Sequence, residues 1–180
     1  YRAFVLEVLP VAEEAGVMLA AHPDDPPLET VRQQPRLVYQ PRYFQDQLAI
    51  SDSPCHGVEL CLGTVAEMTE GDVYETLDQL TAQRRVGYIH LRNVRGKVPY
   101  YKETFVDDGD IDVRRVFAIL QKNRFEGVVI PDHAPQMACA APWHAGMAFA
   151  IVALIRRRAP RSRKPAGSPA DKGWSMIAAN

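Results

Sequence analysis

The sequence predicts an α/β fold in which short parallel strands alternate with helices. Four short apolar runs predict the strands, and segments with helical periodicity lie around and between them. Three of the runs start directly after a glycine (Gly16, Gly57 and Gly127), the residue type that commonly ends a helix. This alternation of strands and helices is typical of a parallel sheet covered by helices.

The four predicted strands cover residues 17–21, 58–62, 86–91 and 128–130. Each run is short, apolar and largely without alternation between apolar and polar residues. Parallel strands that are covered on both faces have this pattern, because neither face meets water.

The predicted helices cover residues 2–15, 72–84, 112–123 and 142–157, with a shorter helix over 41–50. Each of the four longer segments repeats apolar residues at helical spacing, as do Val73, Leu77 and Leu80 in the second. Asp72 opens that segment and is a suitable N-cap residue.

The loops between these elements favour a barrel over a nucleotide-binding sheet. No Gly-x-Gly-x-x-Gly motif follows the first strand, and the sequence has no phosphate-binding P-loop. A complete (β/α)8 TIM barrel needs about 250 residues. We therefore expect residues 1–158 to form only about four C-terminal βα units of such a barrel, N-terminally incomplete unless a second half pairs with it.

The C-terminal segment 159–180 differs in composition from the rest of the chain. The net charge of the chain is −1, yet from residue 156 onward the sequence has seven Lys or Arg and one Asp. With Pro, Gly and Ser but no apolar periodicity, a disordered basic tail is expected. Basic tails sometimes bind nucleic acid, but a solvated tail without a nucleic-acid partner is the preferred interpretation.

The remaining composition indicates an ordinary globular protein. No apolar run approaches the roughly 20 residues needed to span a bilayer, so no membrane partner is expected. The three cysteines are too few and too irregularly spaced for a disulfide framework. A reducing, cytoplasmic location follows as an expectation, and self-association into a homo-oligomer is kept as an option.

Residues that can bind a metal occur where each predicted strand ends. They are His22, Cys61, His90 and Asp132, one for each strand. In a barrel the carboxyl ends of the strands converge on the face that holds the active site. Two imidazoles, a thiolate and a carboxylate suit Mn²⁺, Fe²⁺, Co²⁺ or Zn²⁺ but not Ca²⁺. Taken singly, each of these residues is more often structural than a ligand.

Neighbouring residues fit an anionic polyol substrate. Arg92 and Lys97 are predicted to hold a carboxylate, and Asn93, Asp24 and Asp25 to take hydroxyl groups. For the two aspartates, a turn or helix cap after the preceding proline is an almost equal alternative. The segment 94–110 is long for a βα loop, which predicts either a lid or disorder.

Six motifs in this order resemble the mannonate dehydratase family: AHPDDPP, PRLVY, ELCLGT, HLRNVRGK, DDGDID and PDHAPQ. The resemblance covers roughly residues 3–155. It implies a xylose-isomerase-like TIM barrel and a hydro-lyase that uses Mn²⁺ or Fe²⁺. The implied reaction is the dehydration of D-mannonate, a small sugar acid, to 2-dehydro-3-deoxy-D-gluconate in glucuronate breakdown.

The resemblance also implies roles for particular residues. His22, Cys61, His90 and Asp132 match the metal ligands of the family, a set that the strand ends had already indicated. His133 matches a proton-transfer histidine, and Arg36 resembles part of the substrate-binding loop. His144 stands where the family commonly has a catalytic tyrosine, and capping of the last helix is its structural alternative.

Two other interpretations stay open from the sequence. One is a sugar isomerase or epimerase on the same barrel, although such sites favour carboxylates and a cysteine ligand is unexpected there. The other is an inactive truncated fragment, because a half barrel leaves the edges of its sheet open.

Overall fold

A computed structural model describes residues 1–157 of the chain. Helices and strands alternate along these residues, with two small hairpins inserted between them. In chain order the elements are α1 (Arg2–Ala15), β1 (Leu19–Ala21), β2 (Thr30–Val31), β3 (Gln34–Pro35), α2 (Tyr43–Leu48), β4 (His56–Cys61), α3 (Leu62–Glu67), α4 (Val73–Ala82), β5 (Val86–His90), β6 (Asn93–Lys97), β7 (Tyr100–Thr104), α5 (Val113–Lys122), β8 (Val128–Ile130) and α6 (Pro142–Arg157).

The main sheet has four parallel strands in the order β1-β4-β5-β8. Each strand pairs with the next predicted strand along the sequence, as in successive βα units of a barrel. The predicted partial barrel with about four βα units is thereby confirmed. All of β4 except Glu59 is buried, because β4 lies inside the sheet with layers on both sides.

Side-chain caps fix where the helices begin. Asp72 accepts hydrogen bonds from the backbone N–H groups of Tyr74 and Glu75 at 2.8 and 2.9 Å, which confirms the predicted cap of α4. Asp112 caps α5 in the same way. Gly16 ends α1 with a φ of 65°, the left-handed conformation that glycine adopts without steric cost.

One hydrophobic core joins the sheet to the helices that cover it. Its members lie on the buried faces of α2, α3, α4, α5 and α6 and on the strands, with Leu60 and Ile89 fully buried at its centre. The cluster reaches from Val38 to Leu154, so the covering helices pack onto a continuous layer. This core holds the ends of β4 and β5 in fixed positions.

Three elements differ from the sequence prediction. Helix α3 starts immediately after β4, where only a loop was expected. Of the two states expected for the segment 94–110, a lid or disorder, the structure contradicts disorder: the segment contains most of a hairpin, in which β6 pairs antiparallel with β7. A second hairpin, β2 with β3, follows β1. All three elements are short, and the two hairpins are largely polar, so they lack the apolar periodicity that identifies longer elements.

The first and last strands of the main sheet each have a neighbour on one side within residues 1–157. Helix α1 also exposes apolar side chains, with Phe4 at 59% and Val11 at 64% exposure. No helix within these residues is both long and apolar enough to cross a membrane. The predicted basic tail, residues 159–180, lies outside the described residues.

Candidate metal centre

The carboxyl ends of three neighbouring strands bring His22, Cys61 and His90 together. Cys61 and His90 end β4 and β5 and lie opposite each other in the register of that pair, and His22 directly follows β1. One ligand atom from each residue lies within 4.8 Å of the others. We call these three residues the donor cluster.

Each histidine of the donor cluster has one ring nitrogen engaged by the protein. His22 Nδ1 lies 2.5 Å from the carbonyl oxygen of Pro23. His90 Nε2 lies 2.6 Å from Glu59 Oε1. His90 Nδ1 is buried and has no hydrogen bond within the described residues. Both rings are thus oriented by one nitrogen and leave the other free for a ligand, as metal-binding histidines do.

The donor cluster favours an ionised thiol. Burial alone would raise the pKa of Cys61, but the neighbouring imidazoles of His22 and His90 outweigh burial and lower that pKa to about 6. Burial would lower the pKa of His22, yet its hydrogen bond and charge interaction with Cys61 raise it to about 9. A thiolate and two imidazoles that can release protons fit a divalent transition ion, which replaces such protons when it binds.

Asp132, the fourth predicted ligand, lies beside the donor cluster. Its Oδ1 is 3.4 Å from His90 Nδ1, and its Oδ2 is 3.6 Å from Arg92 Nε. Asp132 does not belong to the group of ligand atoms within 4.8 Å. The backbone turns at this residue with a φ of 65°, which is uncommon for any residue except glycine. The turn lets both Asp132 and His133 face the site instead of opposite sides of a strand.

Arg92 forms a second charged group next to the donor cluster. Its side chain is 3% exposed and pairs with the carboxylates of Asp25, Glu67 and Glu103. The distances are 2.7 Å to Glu67 and 3.3 Å to Glu103. Arg92 also donates a hydrogen bond of 3.1 Å to Thr64. We call these five residues the arginine network.

The arginine network depends on a buried glutamate and on a glycine. Glu67 is fully buried, and its burial raises the pKa of its carboxyl to about 7, even though the positive charge of Arg92 acts in the opposite direction. Gly63, in α3, packs directly against the side chain of Arg92. A Cβ at that position would come within 2.6–2.8 Å of Arg92 side-chain atoms. The absence of a side chain at Gly63 therefore makes room for the guanidinium.

Asn93 and Lys97, predicted to contact substrate, have partners inside the chain. The Asn93 amide donates to the carbonyls of Val106 and Ile111, each at 2.9 Å. Its oxygen accepts from the N–H groups of Val94 and Ile111, each at 3.0 Å. These bonds use all the donors and acceptors of the amide. Asn93 therefore holds the loop after β7 in place.

The Lys97 ammonium donates to the carbonyl oxygen of Met68. This contact ties the end of β6 to the end of α3. It leaves other donor positions of the ammonium free, since Lys has three.

The first hairpin is held by the two aspartates of the AHPDDPP motif. Asp24 Oδ2 accepts from the N–H groups of Leu37 and Val38 at 2.6 and 2.7 Å. Arg36 Nε lies 2.8 Å from Asp24 Oδ1, and Arg36 also donates to the carbonyl of Asp25. These contacts match the structural alternative for Asp24, and they hold Arg36 against the segment that follows β1.

The two candidate proton-transfer histidines have different surroundings. His133 is 44% exposed, with Nδ1 2.9 Å from Glu103 Oε2 and Nε2 3.2 Å from Asp132 Oδ2. His144 lies exposed in the first turn of α6, where its ring packs edge-on against Trp143. The sequence analysis did not identify Glu103, because this residue is on the hairpin that was predicted as a lid or disordered.

Comparisons with known proteins give a consistent result. The family model for D-mannonate dehydratase (UxuA) matches residues 1–150. A mannonate dehydratase of Shouchella clausii is 35% identical over 136 residues, covering 72% of this chain and 36% of that protein. A mannonate dehydratase of Lactococcus lactis subsp. lactis is 30% identical over 135 residues, with 72% and 37% coverage. The chain thus spans just over a third of the length of these curated relatives.

Solved structures agree with the sequence matches. The crystal structure of mannonate dehydratase from Streptococcus suis serotype 2 superimposes with a TM-score of 0.79 at 28% identity, covering 87% of this chain and 47% of that chain. A xylose isomerase domain protein from Alicyclobacillus acidocaldarius gives 0.59 at 18% identity, covering 86% and 53%. The second similarity concerns the fold alone.

Proposed function

Because this chain belongs to the mannonate dehydratase family, we propose that it supplies the metal-binding part of a hydro-lyase acting on a sugar acid. The proposed reaction is the dehydration of D-mannonate to 2-dehydro-3-deoxy-D-gluconate in glucuronate breakdown, in the cytoplasm. The observation that carries the proposal is the convergence of His22, Cys61 and His90 at the strand ends of a partial barrel. Barrel enzymes have their active sites on this face.

In the proposed site, His22, Cys61 and His90 hold Mn²⁺ or Fe²⁺, with Asp132 as the fourth ligand. When bound, the ion offsets the negative charge that develops on the substrate as its C2 proton leaves. The free nitrogen of His90 and the low pKa of Cys61 support this assignment. Asp132 would complete the ligand set, because its carboxylate lies 3.4 Å from Nδ1 of His90.

The chemistry that remains is a proton transfer and the loss of water. A base removes the C2 proton, the C3–oxygen bond breaks, and an acid protonates the departing hydroxyl so that it leaves as water. The enol that remains becomes the 2-keto acid. His133 is assigned to one of these proton transfers, because it is accessible and because carboxylates lie close to both of its ring nitrogens.

Other site assignments remain predictions within this proposal. His144 is the predicted partner of His133 in proton transfer. Arg36, Arg92, Asn93 and Lys97 are the predicted substrate contacts. The Asn93 amide has all its hydrogen bonds within the chain, and Arg92 is held by carboxylates of the chain. This favours Arg36 and Lys97 as direct substrate contacts, with Arg92 and Asn93 holding the pocket in shape.

The proposed function is best tested in a complete barrel. Residues 1–150 of this chain would replace the matching segment of the Streptococcus suis enzyme, and the chimera would be incubated with D-mannonate and Mn²⁺. We expect formation of the keto acid with loss of one water, measured by mass spectrometry. The same chimera carrying Cys61→Ser should lose this activity, because it lacks the thiolate ligand.

A folded, metal-loaded chimera that leaves D-mannonate unchanged would contradict the proposal. Interconversion of aldose and ketose sugars by that chimera, without formation of a keto acid, would instead favour the isomerase alternative.

A further inference from the structure

Glu59 lies next to the donor cluster, although neither its position in the sequence nor the family motifs identified it as a site residue. It precedes Cys61 by two positions on β4, so both side chains leave the same face of the strand. The Glu59 side chain is 24% exposed, and its Oε1 lies 2.6 Å from Nε2 of His90 on the neighbouring strand.

This contact determines which nitrogen of His90 can bind an ion. Carboxylates accept hydrogen bonds, and one lies beside each ring nitrogen of His90: Glu59 is 2.6 Å from Nε2 and Asp132 is 3.4 Å from Nδ1. The much shorter Glu59 contact places the proton of the neutral imidazole on Nε2 and the lone pair on Nδ1. Nδ1 is buried and has no hydrogen bond within residues 1–157. Glu59 therefore accounts for the orientation of a ring whose buried second nitrogen faces Asp132, the fourth proposed ligand.

The two histidines of the donor cluster are held by different groups. For His22 the acceptor is the backbone carbonyl of Pro23, which no substitution at position 23 removes. For His90 the acceptor is a side chain, and it belongs to the strand that also carries Cys61. Only the His90 contact can be removed by a single side-chain substitution.

We propose that Glu59 is a positioning residue that fixes the ring orientation and tautomer of His90, so that Nδ1 faces the divalent ion. The proposal rests on the donor cluster being a metal site, as stated under the proposed function. Outer carboxylates of this kind typically change metal affinity by roughly 10–100-fold when removed.

The test is Co²⁺ binding by the full 180-residue chain, measured by calorimetry and by the thiolate-to-cobalt absorption band. Glu59→Ala should weaken Co²⁺ binding by roughly 10–100-fold. Glu59→Gln keeps an acceptor oxygen and the side-chain size, so its loss should be smaller. Glu126→Ala, an exposed glutamate beside β8, is the matched control and should bind Co²⁺ like the parent chain.

Two further measurements separate positioning from other roles. At saturating Co²⁺, the absorption band of Glu59→Ala should match that of the parent, because all proposed ligands are retained. In a His90→Ala background, Glu59→Ala should cause no additional loss of affinity, because its only route to the ion has been removed. A general effect on folding would persist in that background.

The outcomes distinguish this inference from the proposed function. A parent chain that is folded by circular dichroism but does not bind Co²⁺ would overturn the metal site itself. Binding by the parent with unchanged affinity in Glu59→Ala would overturn the role of Glu59 alone. A changed absorption band at saturation would also overturn it, since Glu59 would then be a ligand.

Discussion

The donor cluster and the arginine network lie side by side at the strand ends, yet they use their polar atoms in opposite ways. In the donor cluster, one buried nitrogen of His90 has no hydrogen bond within the described residues, and the thiol of Cys61 is poised to ionise. In the arginine network, the guanidinium of Arg92 pairs with the carboxylates of three other members, and Asp132 lies 3.6 Å from its Nε. The first arrangement offers a thiol and imidazole nitrogens to a ligand, whereas the second pairs most of its charge within the chain and leaves only Arg92 Nε and Glu67 Oε2 without a hydrogen bond among the described residues.

This comparison shows that neighbouring polar residues of one site can have different roles, some in binding a ligand and others in holding the structure. Buried polar atoms without partners cost free energy, so they persist where a ligand supplies the missing contact. Buried charges that are fully paired instead hold neighbouring segments together. Arg92 connects the segments after β1, β4 and β5 through its ion pairs, and the donor cluster is the part of the site that we propose binds the ion.

The largest expected effect comes from removing the centre of the arginine network. Arg92→Met should lower the free energy of unfolding by about 3–5 kcal/mol, because Glu67 would remain buried without its partner. Urea denaturation of the full chain would measure the change. Adding Glu67→Gln to the same chain should restore part of the stability. A loss below about 1 kcal/mol would mean that the network is not a structural unit.

The next effect concerns the donor cluster and should appear in metal affinity. Cys61→Ser should weaken Co²⁺ or Mn²⁺ binding by more than the roughly 10–100-fold expected for a residue that only orients a ligand. The reason is that the serine hydroxyl stays protonated at neutral pH and cannot replace the thiolate. Cys55→Ser and Cys139→Ser are matched controls, since neither residue is in the donor cluster. Equal losses for all three variants, measured by calorimetry, would contradict the assignment.

A third prediction uses the pH dependence of the arginine network. The pKa of Glu67 is about 7 in the folded chain, above its ordinary value of 4.5, so the folded state holds this proton more tightly than the unfolded state. The contribution of Glu67 to stability is therefore present at low pH and is lost as the pH rises from 4.5 to about 7.

Glu67→Gln keeps the size of the side chain and removes this titration. Denaturation midpoints measured across that pH window should change less with pH in Glu67→Gln than in the parent. Parallel profiles for the two proteins would show that Glu67 titrates normally.

The smallest effect is expected for an exposed ion pair outside both regions. Arg95 lies 2.5 Å from Asp108, and both side chains are about half exposed or more. Arg95→Met should change the free energy of unfolding by about 0–1 kcal/mol, because water screens the pair. A loss as large as that of Arg92→Met in the same urea titration would remove the distinction between buried and exposed pairs.

The sequence predicted the elements whose signal is local. All four strands of the main sheet and the bounds of α6 follow from apolar runs and helical spacing, and the strand-end positions pointed to His22, Cys61 and His90. The comparison with the family then supported the fold that these elements build.

The residues that sequence reasoning missed act through distant partners. Glu59 meets His90 across 31 positions, and Glu67 meets Arg92 across 25. Such contacts depend on strand register and on the course of the chain, which local patterns do not encode. Helix α3 and the β6–β7 hairpin were missed because they are short, although the Val98-Pro99 step between the two hairpin strands was a turn signal.

The pairing of Cys61 with His90 has a consequence for how the sheet assembles. Side chains alternate along a strand, so a slip of one residue would bring Leu60 or Leu62 to the place of the thiol. An ion that needs both side chains would bind only the correctly aligned strands and would shift the equilibrium toward them. Metal supplied during refolding would therefore favour the native strand register over registers that are shifted by one residue.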